Sequence, residues 1–227
     1  MVCARYEWSK LMGKVFRKPR VNGFTLVELM VIIAILVVVA GMILPANRPR
    51  TPAIRIKCVN SLRSIGLVFR VFATDHEERF PMQVWPNEGG SLEVVAEGVA
   101  FRHFVVMSNQ LGTPVSLVCP SDTKRKAATN FPSVTVANLS YFVGLNATNG
   151  QPQSLLAGDR NLSINGSPIR PGLVELTTNL VVGWTAEMHN LQGNIAMGDG
   201  SVQQFSGTRL RGALRDTGQV TNMLAVP

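Results

Sequence analysis

The residue that poses the clearest chemical problem in this sequence is Glu28. It is the one charged residue in the apolar segment 24–44, which follows a basic stretch. A carboxylate costs about 2.5–3.5 kcal/mol at the centre of a membrane helix and less near an end, so it needs water or a partner. One interpretation is an acid that reaches the membrane surface. The other is an ion pair with the ammonium group that a cut after Gly23 would create on Phe24, one helical turn away.

A second set of residues, closer to the C-terminus, also has side chains that could take part in catalysis or metal binding. His189, Asp199 and Ser201 include the residue types of a hydrolytic triad, but Ser201 has no nucleophile elbow or recognisable oxyanion element around it. Asp159, His189 and Asp199 could instead be metal ligands, although calcium takes about six to eight oxygens. The third interpretation is structural, with His189 bonded to a loop and Asp199 shaping a turn. We expect no enzymatic activity, and calcium is the one cofactor that stays open.

The element that must position Glu28 is the apolar segment 24–44. Its 21 residues suit the roughly 30 Å hydrocarbon core of a bilayer, which predicts a transmembrane helix. The preceding segment has one acid and six basic residues, a bias that keeps the N-terminus in the cytoplasm. These basic residues are Arg5, Lys10, Lys14, Arg17, Lys18 and Arg20. We therefore expect a single-pass inner-membrane protein with a periplasmic or other extracytoplasmic head.

The run Gly23-Phe24-Thr25-Leu26-Val27-Glu28 resembles the processing site of type IV pilins and type II secretion pseudopilins. The resemblance implies a basic prepilin leader over residues 1–23, cleavage after Gly23 by a prepilin peptidase, and methylation of Phe24. It also implies that Glu28 aligns one subunit with the next during assembly. A start at Met12 would give a leader of more typical length.

The same resemblance implies the partners of the chain. They are other pilin or pseudopilin subunits, the inner-membrane assembly machinery and the membrane. A pilus and a secretion pseudopilus use the same junction, as do major and minor subunits, so these choices stay open. The alternative function is a membrane-tethered periplasmic binding or adhesion module that does not polymerise. Nucleic acid is not an expected partner, because removing the leader's six basic residues and one acid lowers the formal charge from +8 to about +3.

Two of the three cysteines follow the leader. Cys3 lies within it, while Cys58 and Cys119 fall in a compartment where disulfides persist. They could form one bridge or remain two separate buried thiols, because sequence does not show whether their Cα atoms come within bridging distance. Two isolated cysteines with no ligand pair nearby do not predict zinc.

Residues 45–79 are predicted to form a proline-broken linker and an amphipathic helix. Pro45, Pro49 and Pro52 each remove a backbone donor and disfavour helix at the preceding residue, which predicts a break in the spine helix of a pilin-like fold. Beyond them, apolar residues recur at spacings of three and four, which predicts a helix that packs on a sheet. These residues are Ile54, Cys58, Leu62, Ile65, Phe69 and Phe72.

Residues 80–227 are predicted to form a small antiparallel-sheet head, so that the whole chain is α+β. Asp199-Gly200 lies between segments 194–198 and 201–205 and predicts a tight hairpin turn. Further strands are predicted at 115–118, 140–145, 155–157 and 180–185, and helices at 101–110 and from Ser206 or Thr208 to Leu214.

Nine residues separate His189 from Asp199-Gly200, and this stretch resembles the C-terminal signature of a pilin-processing-associated family named for its H-X9-DG spacing. Further pieces also match this family. They are Cys58 with Asn60-Ser61-Leu62-Arg63, Cys119-Pro120-Ser121-Asp122, Ser140-Tyr141, and Gly158-Asp159-Arg160-Asn161. The resemblance brings no chemistry for the signature, so the roles of His189, Asp199 and Gly200 stay open.

Overall fold

The computed structural model of the chain describes residues 23–43 and 51–227. Residues 1–22 of the predicted leader, Leu44, Pro45 and Pro49 lie outside these ranges. The chain divides into two units, with helix α1 (Leu26–Ile43) in residues 1–49 and the head in residues 50–227. A helix followed by an antiparallel-sheet domain makes the chain α+β, as the sequence predicts.

Helix α1 is apolar on every side. Glu28 is its one charged residue, and large side chains such as Leu26, Ile35 and Val38 are all exposed within their own unit. A helix without a polar face is stable only when lipid or other protein covers it. The transmembrane helix predicted for residues 24–44 stays a prediction. Of the helices in the described ranges, none combines the length and the hydropathy required to cross a bilayer.

Helix α2 (Thr51–Asp75) confirms the predicted amphipathic helix and belongs to the head. Pro52 lies in its first turn, where a missing N–H leaves no helical hydrogen bond unmade. Most of the predicted apolar face is buried: Cys58, Leu62, Ile65, Phe69 and Phe72 are at most 2% exposed, whereas Ile54 is half-buried. The spacing of three and four residues therefore identifies the face that packs on the sheet.

The remaining α-helices and strands of the head are short. In chain order they are α3 (Ala100–Val105), α4 (Ser108–Leu111), β1 (Tyr141–Gly144), β2 (Leu155–Asp159), β3 (Leu162–Ile164), β4 (Ser167–Pro168), β5 (Gly172–Thr177), β6 (Val182–Trp184), β7 (Gln192–Met197), β8 (Val202–Ser206), α5 (Gly207–Asp216) and β9 (Thr221–Val226). Ser206 caps α5 by accepting a hydrogen bond from the backbone N–H of Arg209. This confirms the predicted last helix.

The strands form two antiparallel sheets. The larger sheet has the order β5-β9-β1-β2-β7-β8, and the smaller has the order β4-β3-β6. Strands β7 and β8 pair as the hairpin that Asp199-Gly200 predicts, with Asn194 opposite Gln204 and Ala196 opposite Val202. Gly200 has a φ of 82°, which a glycine adopts without strain.

Both faces of the larger sheet are buried. On β1, Tyr141 and Val143 join the core beneath α2, whereas Phe142 between them joins a second core. This second core is formed with α5 and the smaller sheet, through residues such as Leu210 and Trp184. Neighbouring side chains on a strand point to opposite faces. Because both faces of this sheet are buried, the central strands are nearly continuous apolar runs in the sequence.

Two predictions about local structure need correction, and four strands were missed. Residues 115–118 are not a strand, because Pro114–Leu117 forms a 3-10 turn with Pro114 at its start and Thr113 accepting a hydrogen bond from the N–H of Val115. The helix predicted at 101–110 is divided into α3 and α4 at Val106 and Met107. Strands β3, β4, β5 and β9 were not predicted. Strands β5 and β9 pair with distant partners, whereas β3 and β4 form a local hairpin across Asn165-Gly166, a turn signal present in the sequence.

The buried aromatic residues of α2 should dominate the stability of the head. Phe69 is fully buried and meets the rings of Phe80 and Phe104 edge to face, at 5.8 and 6.0 Å between centroids. Phe69→Ala should lower the free energy of unfolding by about 3–5 kcal/mol, as measured by chemical denaturation of the full chain in detergent. The control is Leu67→Ala on the exposed side of the same helix, which should change it by about 0.5 kcal/mol or less. Equal effects of the two substitutions would contradict this packing.

Candidate functional site

The predicted processing junction lies at the start of α1, where Gly23 and Phe24 are exposed. The backbone N–H and hydroxyl of Thr25 donate hydrogen bonds to Glu28 Oε2, at 3.0 and 2.8 Å. In return, Thr25 Oγ1 accepts a hydrogen bond from the Glu28 N–H at 3.3 Å. This reciprocal pair is a capping box, which satisfies backbone donors in the first turn of the helix.

The capping box gives Glu28 a defined position before any partner is bound. The carboxylate is held at the helix N-terminus, where the helix dipole favours negative charge. Thr25 is a functional candidate that the sequence reasoning missed. The Thr-x-x-Glu spacing from Thr25 to Glu28 was the available signal, because this pattern is typical of helix starts.

In the head, Cys58 and Cys119 form a disulfide bond, with their Cα atoms 5.1 Å apart. Cys58 lies on α2 and Cys119 in the loop before β1, and both are fully buried. His189 lies against this bond, with its Nε2 atom 3.4 Å from Cys119 Sγ. Arg55 Nη2 donates a 2.9 Å hydrogen bond to the His189 carbonyl and holds the loop before β7. A disulfide in such a domain typically contributes about 2–4 kcal/mol to stability.

Asp159, the last residue of β2, contacts the same side-chain nitrogen of His189. Its Oδ2 atom is 3.3 Å from His189 Nε2 and accepts hydrogen bonds from the Asn194 backbone N–H and side-chain amide, at 2.7 and 2.8 Å. Within the described part of the chain, its buried Oδ1 atom has no hydrogen-bond partner. Cys58, Cys119, Asp159 and His189 are called the buried cluster below. An unpartnered buried carboxylate oxygen is unusual and leaves one acceptor available there.

Burial changes the protonation of both titratable groups in the buried cluster. It lowers the pKa of His189 to about 4, and the positive charge of Arg55 acts in the same direction. Burial also raises the pKa of Asp159 to about 7, although the hydrogen bonds from Asn194 oppose this change. The imidazole is therefore uncharged at neutral pH, and its 3.3 Å contact with Asp159 is not an ion pair.

The two ends of the H-X9-DG stretch occupy separate places, because β7 runs between them. Asp199 is exposed in the β7–β8 turn, where its Oδ1 atom accepts a 2.8 Å hydrogen bond from the Ser201 N–H. The Asp199 carbonyl accepts a hydrogen bond from Arg70 on α2. The six residues of β7 span roughly 20 Å, so His189 is not brought together with Asp199 and Ser201 as a triad.

The potential metal ligands also differ from the predicted set. In residues 23–43 and 51–227, the one group of three or more such side chains is Cys58, Cys119 and His189, whose ligand atoms lie within 4.8 Å of one another. Of the residues considered for calcium, Asp159 and His189 are adjacent, but Asp199 lies in the turn instead. Sequence reasoning did not connect the cysteines with His189, because the residues come from separate segments with no common spacing.

A buried ion pair stands near the segments that resemble the H-X9-DG family. Arg160 donates to both oxygens of Asp122, at 2.7 and 2.8 Å, and the Ser140 hydroxyl donates to Asp122 Oδ2 at 2.9 Å. Arg160 also reaches Glu187 at 3.3 Å, and Lys124 pairs with the same acid. These contacts tie the loop after Cys119 to the end of β2 with two-pronged geometry.

Comparison with known proteins gives one positive result. The family described as the prokaryotic N-terminal methylation motif matches residues 18–44. No curated protein and no solved structure matches the chain significantly. The N-terminal region therefore carries the methylation motif, which is consistent with a pilin-like family.

The ion pair of Asp122 should make the stability of the head depend on pH. Burial alone would raise the pKa of Asp122, but the hydrogen bonds and charge of Arg160 and the Ser140 hydroxyl outweigh it and lower this pKa. The stabilisation is thus present above the unfolded pKa, about 4, and is lost as pH falls through the lower folded pKa. Asp122→Asn should cost about 3–5 kcal/mol at pH 7, and its difference from wild type should shrink below pH 4.

Unfolding curves across this pH range measure the effect. The control is Asp216→Asn, which changes an exposed acid at the end of α5. A difference between wild type and Asp122→Asn that stays constant from pH 7 to pH 2 would contradict the role of the ionised pair.

Proposed function

We propose that this chain is a non-enzymatic, prepilin-like structural subunit. It is cleaved after Gly23, N-methylated at Phe24, and assembled into a type II secretion pseudopilus or a type IV pilus-like filament. The observation that carries the proposal is the match of the N-terminal methylation motif to residues 18–44. The chemistry of the junction agrees with it, because a small residue precedes the bond to be cut and an acid follows four residues after the new terminus.

The apolar surface of α1 supports the assembly step. Its large side chains are exposed around the whole helix in the isolated unit, so the helix requires an apolar environment. A bilayer can provide that environment before assembly, and the helices of neighbouring subunits can provide it in a filament. In this proposal, the segment 24–44 anchors the subunit in the inner membrane, with the basic leader in the cytoplasm and the head outside.

Glu28 supplies the directional contact between subunits. Cleavage gives Phe24 an ammonium group, and the carboxylate of Glu28 is already held in the first helical turn by Thr25. In apolar surroundings the carboxylate gains most from an ammonium group, here that of the neighbouring subunit. The proposed partners are therefore a prepilin peptidase, other pilin or pseudopilin subunits, and the inner-membrane assembly machinery.

Processing can be tested by mass spectrometry of the chain extracted from membranes of cells that contain a prepilin peptidase. We expect a chain that begins at N-methylated Phe24. Gly23→Leu should retain the leader, because its bulky side chain stands beside the bond to be cut. The control is Gly41→Ala, since an added Cβ at this helical glycine meets no atom within 4 Å. An intact leader on the wild-type chain would overturn the proposal.

Three substitutions separate the charge of Glu28 from its capping role. Glu28→Ala removes both, Glu28→Gln keeps an acceptor for the Thr25 N–H but removes the charge, and Thr25→Ala weakens the cap while retaining the charge. We expect both Glu28 variants to be cleaved yet to enter filaments more than about tenfold less well, because an apolar ion pair is lost. Thr25→Ala should assemble nearly as well as wild type.

Filament incorporation is measured by quantifying each variant in sheared surface fractions. Wild-type incorporation of Glu28→Gln would show that capping, and not charge, is the role of this residue. Cysteine crosslinking between α1 segments then tests assembly itself. A chain that is processed but yields only monomers would favour the alternative, a membrane-tethered binding or adhesion module.

A further inference from the structure

The buried cluster has the ligand types of a tetrahedral metal site, and three of its members, Cys58, Cys119 and His189, place their ligand atoms within 4.8 Å of one another. Zn²⁺ prefers thiolate, imidazole and carboxylate ligands at about 2.0–2.3 Å, which places neighbouring ligand atoms roughly 3.4–3.8 Å apart. His189 Nε2 lies 3.4 Å from Cys119 Sγ and 3.3 Å from Asp159 Oδ2. Two edges of such a tetrahedron are thus already formed. Cys58 Sγ, within 4.8 Å of the His189 ligand atom, is the fourth donor.

The donors come from separate segments of the head, two of them on regular elements. Cys58 lies on the long helix α2 and Asp159 at the end of the central strand β2. Asn194 fixes the Asp159 carboxylate with two hydrogen bonds, and Arg55 fixes the backbone of His189. Such supporting contacts orient metal ligands and lower the cost of assembling a site.

The one obstacle to a metal is the bond between the two sulfur atoms. A disulfide offers no thiolate, because each sulfur shares its electrons with the other. We propose that the reduced chain binds one Zn²⁺ through Cys58, Cys119, His189 and Asp159, and that formation of the Cys58–Cys119 disulfide excludes the ion. The inference is independent of the proposed function in filament assembly.

The disulfide-bonded chain becomes the zinc-bound chain in two steps. A dithiol donates two electrons and two protons to the Cys58–Cys119 bond, which gives two thiols while the dithiol becomes a disulfide. Zn²⁺ then displaces one proton from each thiol and binds the two thiolates. Asn194 holds Asp159 Oδ2, while Oδ1 has no hydrogen-bond partner in the described structure, so this carboxylate retains an acceptor for the ion.

Cobalt gives a direct test, because Co²⁺ occupies tetrahedral thiolate sites and reports them by thiolate-to-metal charge-transfer and visible absorption bands. The full chain carries Cys3→Ser, is kept in detergent, and is reduced with a phosphine, which becomes a phosphine oxide with oxygen from water. We expect about one Co²⁺ per reduced chain, displacement by Zn²⁺, and no such bands for the same chain with the disulfide intact.

Two histidine variants provide the matched comparison. His189→Ala should weaken Co²⁺ binding at least about tenfold, and Asp159→Asn by roughly 10–100-fold. His103→Gln changes another fully buried histidine, which bonds Ser91 Oγ at 2.7 Å, and should bind like wild type. Circular dichroism of each reduced sample shows whether the head is folded.

Three results would overturn the proposal. The first is a reduced, folded chain without thiolate-to-cobalt bands. The second is equal binding by His189→Ala and His103→Gln. The third is a reduced chain that loses its fold and does not regain it when Zn²⁺ or Co²⁺ is added.

Discussion

The head depends on the packing of helix α2 against one face of the six-stranded sheet. Its buried residues form the larger of the two cores, and its polar residues reach both ends of the neighbouring strand β7. Near its start, Arg55 holds the His189 loop; further along, Arg70 binds the carbonyl of Asp199 in the turn. Between them, an added Cβ on Gly66 would lie 3.5 Å from Ala196 Cβ and 3.6 Å from Gly200 Cα, which reflects close helix–sheet contact. The helix therefore determines the positions of both ends of the H-X9-DG stretch.

The polar groups of the head are concentrated where this helix, the sheet and the loop after Cys119 meet. The disulfide, the His189–Asp159 contact and the Asp122–Arg160 ion pair connect segments that are far apart in the sequence. Each buried polar group is costly unless it is paired, so such a network favours one arrangement of the loops over others. These segments are scattered along the chain, and the contacts between them exist only in the folded head.

The N-terminal helix follows a different physical rule. The head buries its apolar residues within one chain, whereas α1 leaves its own exposed and must find an apolar partner elsewhere. Thr25 donates two hydrogen bonds to its single acid, Glu28, in the first turn. This acid thus closes a local capping box at the start of a helix that is otherwise apolar. Processing at Gly23 would change the charge beside this carboxylate without changing the helix itself.

The sequence by itself determined the features that depend on near neighbours. These are the Gly23-Phe24 junction, the amphipathic helix α2, the turn at Asp199-Gly200 and the capped helix α5, because periodicity, glycine conformation and capping act over a few residues. In residues 51–227, strand β5 pairs with β9, and β9 also pairs with β1, which is distant in the sequence, so local patterns could not reveal them. The meeting of Cys58, Cys119, Asp159 and His189 was likewise decided by tertiary structure alone. No spacing in the sequence encodes that contact, because it exists only when α2 and the His189 loop pack against the same region of the sheet.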